Sequence, residues 1–147
     1  MPTTKASPPR SGHRADDRIR TTSRRTDPDG PVPQGMNLAV IRGVLARDPD
    51  HRVLGSGVEV LSLDVTVRAP DSASESVPVV WRNPAVAAAR LQAGDDIVVV
   101  GRVRRRFFRV AGVTSSRTEV HADKVLGAGS VARIRTLLAP RLDELDV

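Results

Sequence analysis

Residues 97–109 read Ile-Val-Val-Val-Gly-Arg-Val-Arg-Arg-Arg-Phe-Phe-Arg. The stretch opens with β-branched apolar residues, which predict a buried strand, and it continues into arginine and phenylalanine. Because successive side chains of a strand point to opposite faces, three arginines and one phenylalanine share one face. These residues are Arg102, Arg104, Arg106 and Phe108. Val103, Arg105 and Phe107 lie on the other face.

This basic face has two interpretations. Guanidinium groups bind phosphates, and a phenyl ring beside them can stack on an unpaired base, which is what binding of a single-stranded nucleic acid requires. Alternatively, the charges only protect an exposed edge strand from pairing with other sheets. Both phenylalanines of the chain lie in this stretch, which favours the nucleic-acid interpretation. Since Phe108 shares the arginine face, we expect Phe108 to stack on bases and Phe107 to pack.

The composition also favours a polyanionic partner. The 147 residues include 23 Lys and Arg against 17 Asp and Glu, a net charge of +6. The absence of cysteine excludes disulfides and thiolate metal sites. No apolar run is long enough to cross a membrane, and the basic N-terminus lacks the apolar core of a secretory signal. We therefore expect a cytoplasmic protein without membrane contact.

The two ends of the chain differ from its middle. Residues 1–35 are rich in Pro, Ser, Thr, Arg and Asp, and this composition predicts a disordered basic arm. The arm either adds weak phosphate contacts or is a dispensable tail. Residues 128–147 form a C-terminal tail with one candidate helix over 131–138, ended by Pro140.

The middle, residues 36–127, reads as short strands separated by turn signals. Asp48-Pro49 and the glycine turn at 55–57 mark turns. Asn83 predicts a helix N-cap, Pro84 fits the first helical turn, and Gly94 ends that helix. The predicted strands cover residues 38–45, 58–68, 77–82, 96–110 and 116–125. The order of three strands, one helix and two strands predicts an all-β protein, a five-stranded OB-fold barrel with its helix between strands 3 and 4.

The sequence shows no catalytic constellation. His13, His51 and His121 are isolated, without a second ligand at metal-binding spacing. The serines lack a nearby base or glycine elbow, and no phosphate-binding glycine loop is present. We expect a binding protein with no enzymatic activity, no metal and no cofactor.

The motifs over residues 37–126 resemble the bacterial single-stranded DNA-binding protein (SSB) family. Gly43, Leu45, Asp48-Pro49 and Arg52 match the family signature G-x-L-x-x-D-P-x-x-R. The order of Val79-Val80-Trp81, a helix closed by glycine, and Val99-Val100-Gly101-Arg102-Val103 is also similar to that of the family. Thr118-Glu119-Val120 and Asp123-Lys124-Val125 resemble its last strand.

The resemblance implies binding of single-stranded DNA with little sequence preference, in DNA replication, repair or recombination. It implies an OB-fold that assembles as a homo-oligomer, usually a tetramer, and replication or repair proteins as further partners. By position, Trp81 and Phe108 match stacking aromatics of the family, and Arg104 and Arg106 match its basic strand. The family is the standard example of base stacking, worth ~1–3 kcal/mol per base.

Several residues keep a second interpretation. Trp81 has the parity of Val77 and Val79, so it is either a stacking platform or part of a core face. Arg82 neighbours Trp81 and is either plain surface or a phosphate contact. The same choice applies to Arg42 and Arg47, and Arg117 is a weaker candidate.

Two departures from the family support an alternative. Ser74, Glu75 and Ser76 occupy the loop where the family has further stacking aromatics, and the chain ends in Asp146-Val147 without a terminal aromatic. The alternative is an OB-fold protein-interaction module of primosome type with weak or no DNA binding.

Overall fold

The computed structural model describes residues 35–145. Apart from Gly35, the predicted disordered arm lies outside the described residues. The six strands are β1 Ala39–Leu45, β2 Asp50–Val53, β3 Glu59–Val67, β4 Glu75–Arg82, β5 Asp96–Val110 and β6 Val113–Gly127. A 3₁₀ helix, Val86–Arg90, lies between β4 and β5, and the helix α1, Val131–Asp143, follows β6. No helix in this part of the chain is long and apolar enough to span a membrane.

The strands form one sheet in the order β1-β5-β6-β4-β3-β2. All neighbours are antiparallel except β4 and β6, which are parallel. The end of β1 also pairs with β3, with Val44 opposite Thr66 and Leu45 opposite Val65. This pairing closes β1, β5, β6, β4 and β3 into a ring, while β2 adds to the outer edge of β3. The closed, mostly antiparallel sheet is consistent with an OB-fold.

Two details of the predicted fold are wrong. The sheet has six strands rather than five, because the segment after the Asp48-Pro49 turn forms β2. All four residues of β2 are exposed, so no apolar alternation marked it. Between β4 and β5 the chain forms only a 3₁₀ helix, which has Ala85 rather than Asn83 at its N-cap. Asn83 instead adopts a left-handed turn conformation with φ 47°.

The physical reason for the short helix is that it packs little of its surface against the barrel. Ala88 is its only buried residue, so there is little packing to stabilise further turns. The α-helix lies after the strands and continues past its predicted end to Asp143, with Pro140 inside it. Proline removes one backbone hydrogen bond but does not end the helix here.

The core follows the period-two alternation of apolar residues along β3. Leu61, Leu63 and Val65 are buried, and the intervening side chains face outward. Leu45, Val79 and Val99 bring β1, β4 and β5 into the same cluster. On β3 one side chain in every two therefore fills the barrel, whereas the barrel section of β5 is buried on both faces from Ile97 to Gly101.

Gly101 marks the place where β5 leaves the barrel. It sits at a β-bulge in the pairing with β6, and a Cβ at this position would collide with the backbone of His121. The pairing of β5 with β1 also ends here, at Ala39 opposite Gly101. Beyond Gly101 the two long strands continue as a ribbon that turns at Ala111 and Gly112, both with positive φ, as two-residue hairpins require. We call residues 102–119 the hairpin.

Candidate nucleic-acid interface

The hairpin carries the basic face that the sequence predicts. Arg104 lies opposite Glu119, Arg106 opposite Arg117, and Phe108 opposite Ser115. Every residue from 102 to 118 is exposed, because this two-stranded ribbon extends past the closed barrel. Its guanidinium groups therefore remain available to a ligand.

A groove with a volume of about 480 Å³ runs between the hairpin and the outer face of β2, β3 and β4. Four arginines line the groove: Arg47, Arg52, Arg106 and Arg117. Three carboxylates also line it: Asp50, Asp64 and Glu119. Phe108, whose side chain is 38% exposed, lies in the same groove. Cations and one aromatic ring thus share a single concave surface, which we call the arginine groove.

The groove arginines are paired with carboxylates. Arg47 pairs with Asp64, and Arg52 Nη2 lies 2.8 Å from Asp50 Oδ2. These arginine side chains are largely exposed, and exposed ion pairs contribute only about 0–1 kcal/mol to stability. A phosphate can therefore compete for their N–H donors at small cost.

Glu119 differs from the other carboxylates because it is buried, with 4% exposure. Its Oε1 lies 2.9 Å from Nε2 of the half-buried His121. Arg106 and Arg117 also lie within ion-pair distance of it, at 3.8 and 3.9 Å. These neighbours compensate the charge of a carboxylate removed from water.

The structure brings two of the predicted site residues into the groove, Arg106 and Phe108. Arg102 and Arg104 share their face of β5 and are exposed, but they do not line the groove. Arg82 is exposed at the end of β4, opposite Val60, and also lies outside the lining.

Arg42 belongs to another part of the surface. It lies opposite Val98 on the barrel section of β5. Its Nη2 donates to Asp96 Oδ2 at 3.0 Å, and its Nε donates to Asp96 Oδ1 at 3.4 Å. The hydrogen bond to Asp96, followed by the attraction of that negative charge, raises the pKa of Arg42 above its usual value. Arg42 is thus a charged surface residue held by Asp96.

Two aromatic predictions need correction. Trp81 is 5% exposed and belongs to the core cluster, where it lies opposite Leu61. Its parity with Val79 places the ring inside the barrel, so the core interpretation is correct and stacking on bases is excluded in this conformation. Phe107 does not pack: it is 68% exposed, because the hairpin has no barrel behind it at this point. The Arg105 guanidinium lies 5.3 Å from its ring centre, a cation–π contact.

Sequence reasoning left three groove arginines unassigned or open: Arg47, Arg52 and Arg117. Arg47 and Arg52 lie at least fifty residues before the hairpin in the sequence, and the fold of the sheet brings them to the groove. Arg117 could have been found from the hairpin register, because it lies directly opposite Arg106.

A second cavity, of about 670 Å³, lies beside the 3₁₀ helix. Its ionisable lining residues are Asp48, His51 and Glu59, and neither Lys nor Arg is among the described residues that line it. Its acidic lining disfavours a polyanion, so the arginine groove is the better candidate interface.

The closed sheet and the arginine-lined groove with an aromatic ring are typical of the OB-fold class of nucleic-acid-binding domains. The chain belongs to the Single-strand binding protein family, whose model matches residues 36–127. It is also similar to a single-stranded DNA-binding protein of Oceanobacillus iheyensis, with 35% identity over 99 residues. That alignment covers 61% of this chain and 62% of the relative. The predicted family is confirmed, and membership in a family of binding proteins is consistent with the expectation of no enzymatic activity.

Proposed function

We propose that the protein binds single-stranded DNA in the arginine groove with little sequence preference. The observation that carries this proposal is the placement of Arg106 and Phe108 in one groove, two residues apart on one face of β5. The guanidinium group binds the phosphate backbone, and the ring stacks on a base. Family membership and the name of the Oceanobacillus relative support the same ligand.

The remaining predicted site residues lie outside the groove and contribute less directly in this proposal. Arg102 and Arg104 extend the basic face along the hairpin beside the groove. Arg82 and Arg42 add positive charge at the surface outside it. Trp81 supports the site only through the barrel core. Phosphate contacts therefore outnumber stacking contacts, and we expect a strong salt dependence.

The family resemblance supports a biological setting for this activity. We propose a role in DNA replication, repair or recombination in the cytoplasm, at the nucleoid. We also propose a homo-oligomer, a tetramer by the same resemblance, with replication or repair proteins as further partners.

The test is fluorescence anisotropy of a labelled oligo-dT strand titrated with the full chain at several salt concentrations. A labelled strand is preferable to tryptophan emission because Trp81 is buried. We expect binding at low salt that weakens steeply as salt rises. Absence of binding at micromolar protein and low salt would contradict the proposal.

The alternative is an OB-fold protein-interaction module. It is favoured by exposed apolar side chains on the hairpin, namely Phe107, Val110 and Val113, which suit a protein contact. Gel filtration with the host's main single-strand binder distinguishes the two functions. Co-elution with that protein, together with no shift by an oligonucleotide, supports the alternative.

A further inference from the structure

The pairing of β5 with β6 places two like charges directly opposite each other. Arg106 and Arg117 are cross-strand partners on the groove side of the hairpin. Like charges in this position destabilise a strand pair unless another group compensates them. The structure supplies that group at the floor of the groove.

Glu119 lies within ion-pair distance of both arginines and is almost fully buried. Its Oε1 is 3.8 Å from Arg106 Nη1, and its Oε2 is 3.9 Å from Arg117 Nε. Both distances are too long for hydrogen bonds, so Glu119 attracts the guanidinium groups without using their N–H donors. Both arginine side chains stay about three-fifths exposed, at 60% and 59%.

Arg106, Arg117 and Glu119 differ in net charge from the other ion pairs of the groove. Arg47 with Asp64 and Arg52 with Asp50 are pairs of one cation and one anion. Arg106, Arg117 and Glu119 are two cations and one anion, so the excess positive charge of the groove is located there. An incoming anion gains most at this point, next to the ring of Phe108.

We infer that Arg106 and Arg117 form one phosphate-binding pair across β5 and β6, and that buried Glu119 positions it. The inference rests on the proposed function and deepens it. The ligand is a backbone phosphodiester of the single strand whose neighbouring base stacks on Phe108. Arg106 and Arg117 touch the ligand, whereas Glu119 acts through them. His121 Nε2 donates the hydrogen bond that fixes Oε1 of the Glu119 carboxylate.

The first test measures by anisotropy how Glu119→Gln in the full chain changes its affinity for oligo-dT. The result that matters is whether the affinity rises or falls. Removing a negative charge near a phosphate would by itself tighten binding. If Glu119 positions the two arginines, Glu119→Gln is instead expected to weaken oligo-dT binding about three- to tenfold at low salt, with a shallower salt dependence. The matched control is Asp123→Asn, at an exposed carboxylate of β6 outside the groove, which is expected to leave affinity unchanged or tighten it slightly. If Glu119→Gln leaves the affinity unchanged or tightens it, as the control is expected to do, the positioning role is wrong.

The second test does not depend on changing the buried residue. Arg106→Gln, Arg117→Gln and the double variant are compared in the same assay, with circular dichroism to verify folding. Two arginines on one phosphate predict that the double variant loses less than the product of the two single losses. Independent, multiplicative losses would overturn the shared site, even if Glu119→Gln fails to fold. A wild-type chain that binds no oligo-dT would instead overturn the proposed function itself.

Discussion

The side chain of Asn37 pairs with the backbone of Val103 as a neighbouring strand would. Asn37 Nδ2 donates to the Val103 carbonyl at 2.8 Å, and the Val103 N–H donates to Asn37 Oδ1 at 2.9 Å. Val103 lies two residues beyond the last pairing of β5 with β1. The Asn37 side chain therefore satisfies the backbone N–H and C=O of Val103, beyond the end of the pairing with β1. It joins the base of the hairpin to the residues just before β1.

Replacing Asn37 by alanine is expected to loosen the base of the hairpin. Two hydrogen bonds are lost at an exposed edge, so we expect a decrease of about 1 kcal/mol in the free energy of unfolding, measured by urea denaturation. The amide of Val103 should exchange its hydrogen faster. Asn37→Asp is the control, because it keeps the acceptor for this amide and should preserve part of its protection. Unchanged exchange in Asn37→Ala would show that the pairing is unimportant.

Gly101→Ala is expected to destabilise the protein, because the new Cβ would collide with the backbone of His121. Relief of this collision requires a shift of paired strands, with a cost of about 1–3 kcal/mol in the free energy of unfolding. Gly127→Ala is the matched control on β6, where no atom lies within 4 Å of the added Cβ. Thermal denaturation of both variants measures the difference. Equal melting temperatures would contradict the close approach at the bulge.

Phe108→Ala is expected to weaken oligo-dT binding by about 1–3 kcal/mol if the ring stacks on a base. Phe107→Ala is the control on the adjacent residue, which is more exposed but does not line the groove. The expected order is a larger loss for Phe108 than for Phe107 in the same anisotropy titration. The reverse order would move the stacking site to the other face of the hairpin.

Trp81→Ala is expected to cost about 3–5 kcal/mol of stability, since it empties a large part of the core. The emission of Trp81 in the native chain should be blue-shifted and should change little on addition of oligo-dT. Val86→Ala, at a side chain that is 94% exposed, should leave stability nearly unchanged. Strong quenching of Trp81 by oligo-dT would show that the ring becomes accessible in the complex.

Alternation along the strands could be predicted from the sequence because it depends only on local backbone geometry. It identified the buried residues of β3 and the exposed arginine face of β5. For Trp81, alternation supported the core, whereas the family resemblance supported stacking, and the structure agrees with alternation. The same local rule failed for Phe107, because it does not show where the barrel ends and the hairpin begins.

The strand β2 lacks an apolar alternation, and the composition of the groove depends on contacts between distant residues. β2 has no apolar side to mark it, and it is held by its pairing with β3. Arg47 and Arg52 reach the groove only through the closure of the sheet. Such contacts are set by topology, so the sequence pattern alone could not assign these arginines to the site.

The hairpin extends far beyond the bulge at Gly101, so a small rotation at the bulge would move its tip by a large distance. Its tip at Ala111 is ten residues away, roughly 30 Å along an extended strand. A rotation of about 10° at the bulge would displace the tip of the hairpin by about 5 Å over that length. The hairpin is one wall of the groove and the outer face of β2, β3 and β4 is the other, so a rotation of the hairpin about this bulge would change the width of the opening.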